Sequence, residues 1–355
     1  MSVSYGGDSI VFADGSVNAS GFIGHRNRII NGAMVIDQRN AGASITPADS
    51  QFVVDRFNIR ITQASKLTAQ QNQGAVTPPA GFTNYLGVTS SSAYAVTASD
   101  NFNIVQIIEG YNIADLGFGT ANAKTVTLSF WVRSSLTGTF GGSLTNSALD
   151  RSYPFSYSIP SANTWTQISV TIAGDTSGTW LTTIGQGIRV WFSLGVGTDK
   201  SATAGSWSTN YYNSVTGAVS VVGTNGATFY ITGVQLERGS TASSFEYRPY
   251  GTELALCQRY FYKNLTSASG SERFQIDTYV TTGVFPLACL SHPVPMRATP
   301  TKTKIGAWTG SNINAATVSL AGNELVIAIQ ADANGTGRGY LYPEANQGWS
   351  ASAEL

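Results

Sequence analysis

The sequence predicts an all-β protein, with an antiparallel jelly-roll or β-sandwich domain, one short linking helix and a smaller C-terminal β domain. Three observations predict it. Apolar and polar residues alternate with period two in many segments. The spacers between them are rich in Gly, Ser, Thr, Asn and Pro, and only one stretch, 253–262, reads as helix. Alternation gives a strand one apolar face, and turn-rich spacers between many such strands are the pattern of a sandwich or jelly roll.

The elements follow in chain order. Residues 1–25 carry few large apolar side chains, and Ile10, Val11, Phe12 and Val17 are too few to bury alone. They predict an N-terminal attachment arm that adds to a partner's sheet edge. The jelly-roll domain is expected over 26–250. Within it Phe57, Ile59 and Ile61 alternate with Arg56, Asn58 and Arg60, and Val126, Leu128, Phe130 and Val132 with Thr127, Ser129, Trp131 and Arg133. Ile168, Val170 and Ile172 repeat the pattern, as do Ile188, Val190, Phe192 and Leu194 against Arg189, Trp191 and Ser193. Turns fall at 137–139, 174–178 and 195–197, where Gly, Thr, Asp and Ser cluster. Pro249 is expected to end the preceding strand.

A linking helix is predicted over 251–263, with its body at 252–262. Thr252 can cap it, Glu253 suits its positive end, and Leu254, Cys257 and Phe261 share one face. The C-terminal β domain follows over 264–355. A strand is expected at 274–280, and a hairpin whose strands 318–320 and 325–329 flank Gly322-Asn323. Pro286, Pro293, Pro295 and Pro300 restrict their surroundings to edges and loops. No fixed-period repeat is present, which argues against a propeller or β-helix.

Composition bounds the function. Charged residues make up 11% of the 355, with Lys+Arg and Asp+Glu balanced at 20 each. Nucleic-acid binding calls for a basic footprint, and docking on an acidic membrane calls for basic clusters; neither exists here. The aromatic share of 11% excludes disorder as the reason for low charge. No apolar run is long enough to span a membrane, and the N-terminus has neither the basic nor the apolar part of a signal peptide. Cys257 and Cys289 are too few for a disulfide framework and are expected as two free, buried thiols of a protein made in a reducing cytoplasm.

A search for chemistry is mostly negative. His25 and His292 have no metal-ligand spacing, and no nucleophile elbow, phosphate loop or calcium loop is present. No metal and no cofactor is assigned. Asp55, Glu109, Asp115, Asp150 and Asp175 are the carboxylates that a glycan-cleaving pair would draw on, but their spacing brings no two together. Rings in polar loops raise a binding question. Trp207, Tyr211 and Tyr212 lie in a Ser/Thr/Gly/Asn-rich stretch, and Trp308, Tyr340, Tyr342 and Trp349 pose the same question later. A flat ring beside amides and hydroxyls suits a sugar, whose ring offers C–H bonds to stack and hydroxyls to bind. The same rings could instead cap the core or face a neighbouring subunit.

Several ordered blocks carry a family resemblance. Residues 26–34, reading RNRIINGAM, continue into Ile36-Asp37-Gln38-Arg39-Asn40; Asp55-Arg56-Phe57, Ile108-Glu109-Gly110 and 126–134 follow, with Trp165 and 174–180. Then come Gly233-Val234-Gln235-Leu236-Glu237-Arg238-Gly239, Phe245-Glu246-Tyr247-Arg248-Pro249-Tyr250, Cys257-Gln258-Arg259-Tyr260, His292–Arg297 and the terminal Ser352–Leu355. Together these resemble a family of tailed-bacteriophage structural proteins, and residues 8–17 are similar to an arm motif of phage tail fibres. The resemblance implies a virion protein, a tail fibre or tail structural component, with a carbohydrate-binding-module-like jelly roll and no catalytic motif. It implies a homotrimer anchored to other virion proteins through the arm, with host-surface glycan as its external partner. The tail is favoured over the head; a head decoration, cement or head-fibre protein is the alternative. Low charge leaves flat surfaces open to association, and a closed cyclic trimer is the symmetric default for a fibre.

Overall fold

The computed structural model describes residues 25–267, 275–283 and 287–355, with the backbone of three short strands nearer the N-terminus, β1 (Ser4–Gly6), β2 (Ser9–Val11) and β3 (Val17–Asn18). These three pair antiparallel as a small sheet. Ile10, Val11 and Val17 sit on its strands, whereas Phe12 lies outside the described residues. The chain divides into two compact units, Met1–Tyr250 with Leu355, and Gly251–Glu354.

In the first unit the alternating segments become β4 (Gln51–Val54), β5 (Phe57–Ile61), β6 (Leu67–Gln71), β7 (Leu86–Ser90), β8 (Asn101–Glu109), β9 (Val126–Ser134), β10 (Gly138–Thr145), β11 (Ser152–Ile159), β12 (Thr166–Ile172) and β13 (Gln186–Val196). A short parallel pair, β14 (Ser201–Ala202) and β15 (Ser214–Val215), precedes the long β16 (Thr228–Arg238). A six-stranded antiparallel sheet has the order β11-β10-β13-β8-β5-β4, and a five-stranded one β12-β9-β16-β7-β6. Their apolar faces meet in one core. Phe57, Ile59, Phe102, Ile104, Val190 and Phe192 come from the first sheet, and Val88, Leu128, Phe130, Val132, Phe229 and Ile231 from the second. The fold is therefore the expected all-β sandwich.

The segment entering this sandwich is held by side chains more than by a ladder. Asn27 Nδ2 donates to Val234 O (3.2 Å), and its Oδ1 accepts from the amides of Ile29 (2.9 Å) and Leu236 (3.1 Å). Gln106 exchanges two bonds with the Ile30 backbone, at 3.1 and 2.8 Å. Asn31 Nδ2 donates to the carbonyls of Ile36 (2.8 Å) and Asp55 (2.9 Å). Asp55 accepts from the Gln38 amide (2.7 Å) and side chain (2.8 Å). Glu246 accepts from the amides of Arg26 and Asn27, and Arg248 donates to Ile29 O (3.0 Å). Gln235 joins the set by accepting from the Glu246 amide (2.8 Å) and donating to Glu237 (2.9 Å). Two glycines make the approach possible. A Cβ on Gly32 would collide with the Val234 carbonyl, and Gly233 takes φ +62° at the irregularity of β16, where a Cβ would meet the Phe82 ring.

Among its described residues the second unit has one helix and three small sheets. Helix α1 spans Tyr250–Gln258, and the strands are β17 (Phe261–Leu265), β18 (Ile276–Val280), β19 (Leu287–Ser291), β20 (Thr301–Ile305), β21 (Trp308–Ser311), β22 (Ser319–Gly322), β23 (Val326–Gln330), β24 (Gly337–Pro343) and β25 (Gly348–Ser352). The sheet orders are β17-β25-β20, β18-β24-β21 and β19-β23-β22. The β22–β23 hairpin forms around Gly322-Asn323, with the Asn323 amide bonded to Val326 O at 3.0 Å.

Several expectations are corrected here. The helix starts before Thr252 and stops at Gln258, because Phe261 and Tyr262 pair with Ser352 and Ala351 of the last strand. Phe261 is buried, but from a strand, while Leu254 is half-buried and Glu253 takes a buried place on the helix. Pro249 ends no strand, since β16 stops at Arg238. Only Cys257 is a buried thiol; Cys289 is exposed, because Ala288 and Leu290 take the inward phase of β19.

Candidate functional site

The predicted ring-bearing stretch is part of the long connection from β13 to β16. It is tied to the edge strand β11 by backbone. Ser152 and Ser208 exchange bonds at 3.1 and 2.8 Å, and the Gly205 amide donates to Pro154 O (2.9 Å). Ser152 Oγ adds a bond to Asn210 O (2.6 Å). The loop is thereby laid down along the sheet with its rings in set places.

Those places differ. Trp207 is half-buried at the rim of the main core, where its Nε1 donates to Ala173 O at 2.7 Å. The rings of Tyr153, Trp180 and Phe118 approach it edge-on at 5.2, 5.4 and 5.9 Å. Tyr211 lies instead on the outside of the six-stranded sheet, against Val105, Ile107 and Trp191. Its ring centroid is 5.8 Å from that of Trp191, and Lys200 Nζ stands 4.6 Å over it. The Tyr211 hydroxyl accepts from Asn213 (3.3 Å), and burial pushes its pKa up. The Tyr212 hydroxyl accepts from Asn210 (3.1 Å). Trp207 and Tyr211 therefore belong to two separate aromatic groups.

The outer face under Tyr211 is polar and largely buried. Trp191 is 1% exposed and donates to Thr145 Oγ1 at 2.9 Å. Around it lie Asn58 opposite Val105, and Asn103 opposite both Arg60 and Ser193. Burial, then the nearby Arg60 charge, pushes the Arg189 guanidinium below its usual pKa, against an opposing pull from Tyr211. The oxygens Asn58 Oδ1, Asn103 Oδ1 and Ser193 Oγ are buried without a hydrogen-bond partner among the described residues. Sequence reading placed Asn58, Arg189 and Ser193 on the polar phase of their strands, with Trp191 among them, but did not single out Trp191 and did not place Asn103. Its signal was a large ring in phase with Arg189 and Ser193.

The candidate carboxylates are engaged in the architecture. Asp175 forms a two-pronged pair with Arg151, both bonds at 2.7 Å, and Asp115 pairs with Arg28 at 2.7 Å. Asp150 accepts from Asn146 (2.6 Å), and Asp55 from Gln38. Glu109 is buried at the end of β8. His25 Nδ1 accepts from Arg248, and His292 is buried beside the rings of Tyr262 and Trp349, its pKa lowered by burial. Among the described residues no group of three or more His, Cys, Asp or Glu could hold a metal, and no helix is long and apolar enough to cross a membrane.

In the second unit the structure puts Trp308 and Trp349 in the core, 6% and 2% exposed. Neither offers a ring face to a ligand, which corrects the expectation for both. Their strands turn these positions inward, in phase with Pro343 across the ladder for Trp308 and with Ala351 for Trp349. Tyr340 and Tyr342 take the opposite phase, on the outer face of β24.

No protein-family profile matches the chain, and neither does any curated protein. Among solved structures, the chain is similar to the enzymatically active domain of tailspike protein 4 of bacteriophage CBA120, at 13% identity and a TM-score of 0.33, over 60% of this chain and 22% of that one. It spans about a fifth of that protein's length. It is similar to a putative sugar binding protein from Bacteroides thetaiotaomicron at 13% identity and a TM-score of 0.36, over 60% and 100% of the two chains. It is also similar to a family 11 carbohydrate-binding module from Clostridium thermocellum in complex with a mixed-linked tetrasaccharide, at 11% identity and a TM-score of 0.28, over 56% and 97%. Overlaps this loose bear on neither ligand nor activity.

Proposed function

We propose that the chain is a non-catalytic structural protein of a tailed-bacteriophage particle, a homotrimeric tail fibre or receptor-binding component that attaches to host-surface glycan. One observation carries the reading. Sequence blocks that resemble the phage family lie as far apart as Arg26 and Glu246, 220 residues, yet close on one hydrogen-bonded seam around the entry to the sandwich. Residues so engaged hold a shape. They lock a jelly roll that has no cysteine within 26–250 to cross-link it, which suits a particle component that must stay folded outside the cell.

The arm residues Ile10, Val11, Phe12 and Val17 would seat the chain on its virion neighbour. The half-buried rims of Trp207, Tyr211 and Tyr212 are the first unit's ring contacts for glycan. Such contacts are individually weak and gain through threefold valency. The protein would be made in the host cytoplasm and reside on the tail. Gold-labelled antibody on intact particles tests the placement. Label at the tail is expected, and label over the head replaces this reading with a decoration or cement protein. Light scattering should report three copies of the 37.4 kDa chain; a stable monomer at micromolar concentration removes the trimer.

A further inference from the structure

The outer side of the six-stranded sheet holds a guanidinium that the fold does not neutralise. Arg189 is 9% exposed, set by the register between Ile107 and Thr145. Its Nε donates to Gln186 Oε1 at 2.8 Å and its Nη2 to Ser147 O at 3.4 Å, so both partners are neutral. Among the described residues no ion pair joins it to a carboxylate. Nη1 makes no hydrogen bond and is not among the enclosed unpartnered atoms, so it opens to the surface. A charge taken out of water without a counter-charge destabilises the fold, and a neutral side chain of similar size would avoid that cost.

Two more cations stand over the same place. The charges of Arg189 and Arg60 both act on the Tyr211 hydroxyl, and Arg60 repels Arg189. Arg60 reaches the exposed Asp49 at 3.4 Å. Lys200 Nζ lies 4.6 Å over the Tyr211 ring and has neither a hydrogen bond nor an ion pair among the described residues. Three positive charges therefore surround one half-buried tyrosine, and only Arg60 of the three has a carboxylate. Leu355, which belongs to the same unit, packs on this aromatic group and makes no ion pair with these cations. Asn103 and Ser193 share the ladder row of Arg60, and they are the residues whose buried Oδ1 and Oγ lack partners.

We infer that this corner binds the carboxylate of an acidic sugar, a uronate or sialate unit of a glycan chain, with Arg189 as its anchor. Nη1 offers two N–H groups to the carboxylate, and a hydrogen bond between two charged partners is about twice as strong as a neutral one. Lys200 adds a second positive charge on the solvent side. Tyr211 supplies the rest. Its ring edge meets the C–H face of the sugar, and its hydroxyl accepts from Asn213, which leaves its own proton for a sugar oxygen. A free phosphate or sulfate would satisfy the charges but would leave the ring unused. The inference rests on the glycan half of the proposed function and names the class of sugar that the Tyr211 contact takes. It does not depend on where the protein sits in a particle.

The test is native gel electrophoresis of the full chain through polygalacturonate, alginate or polysialate, with neutral galactomannan and sulfated dextran as contrasts. Salt is kept at about 0.15 M to screen exposed charges. Retardation in at least one carboxylated gel is expected, stronger than in sulfated dextran and unaffected by excess inorganic phosphate. Arg189→Met should weaken it roughly tenfold or more, the loss of a charged pair. Its melting temperature should hold or rise, because the unpaired buried charge is gone; a residue that served only the fold would lower it. If that variant fails to fold, Lys200→Gln at the half-buried rim keeps the test decisive and should weaken retardation severalfold. Equal retardation in sulfated dextran, or displacement by phosphate, overturns the inference, since the site is then one for any oxyanion. Carboxylated-gel binding that survives both substitutions also overturns it. Retardation in galactomannan alone overturns it and leaves the glycan reading standing. Retardation in no gel removes both.

Discussion

Replacing Asn31 by alanine tests the seam that carries the functional reading. Asn31 is fully buried and makes three bonds through its amide group. Nδ2 donates to Ile36 O and Asp55 O at 2.8 and 2.9 Å, and Oδ1 accepts from the Ile36 amide at 3.0 Å. Alanine leaves two carbonyls and one N–H in a buried place without these partners. An orphaned buried polar group costs about 1–3 kcal/mol, with water entering the gap offsetting part of it. Asn31 also has φ +60°. That left-handed conformation costs a residue with a Cβ roughly 1–2 kcal/mol, and Asn tolerates it better than Ala. The total is about 4 kcal/mol, a large share of the roughly 5–15 kcal/mol by which domains are stable. Asn31→Gly loses the same bonds without the backbone strain and should be less damaging by about 1 kcal/mol. Urea unfolding of the full chain, followed by tryptophan fluorescence, measures both. A loss under about 1 kcal/mol for Asn31→Ala would show that the seam follows the fold instead of holding it.

Two further outcomes come from charged groups in loops. Asp100 is 4% exposed; burial alone would raise its pKa, but bonds from Thr62, Thr97 and Tyr94 outweigh this and bring it from 3.8 to about 2. A carboxyl held low stabilises the fold above its unfolded pKa and loses that contribution as pH falls through the folded one. The Asp100→Asn variant should therefore trail the native chain by up to about 2 kcal/mol near neutrality and converge on it between about pH 4 and 2; parallel stability curves down to pH 2 would refute this. Asp175→Ala strands the Arg151 guanidinium, only 12% exposed, without its two-pronged partner. Breaking such a pair from one side costs about 3–5 kcal/mol, and an unchanged melting temperature would mean that Arg151 finds another partner or reaches water.

The parts of this molecule that were legible in the sequence are those set by local covalent geometry. Side chains on a strand alternate whatever the strand pairs with, so the inward sets on β5, β9 and β13 could be read directly. The end of the helix could not. Phe261 and Tyr262 leave it because they find a ladder with Ser352 and Ala351, some 90 residues on, as their numbers show. The seam was visible as recurring blocks but not as a place, because its bonds join Asn27 to Leu236 and Arg26 to Glu246. Which rings face out was partly readable. Tyr340 and Tyr342 are in phase with Arg338, and Trp349 is in phase with Ala351 and Ala353, so the strand phase separates the outer side from the core. Trp191 limits this rule. It shares its phase with Arg189 and Ser193, yet it is buried under Tyr211 from the connection after β13. Phase identifies the side of a sheet, and a side faces solvent only where no second layer of chain covers it. The connection that carries Trp207, Tyr211 and Tyr212 has no such period, so where each of its rings comes to rest depends on contacts that only folding brings together.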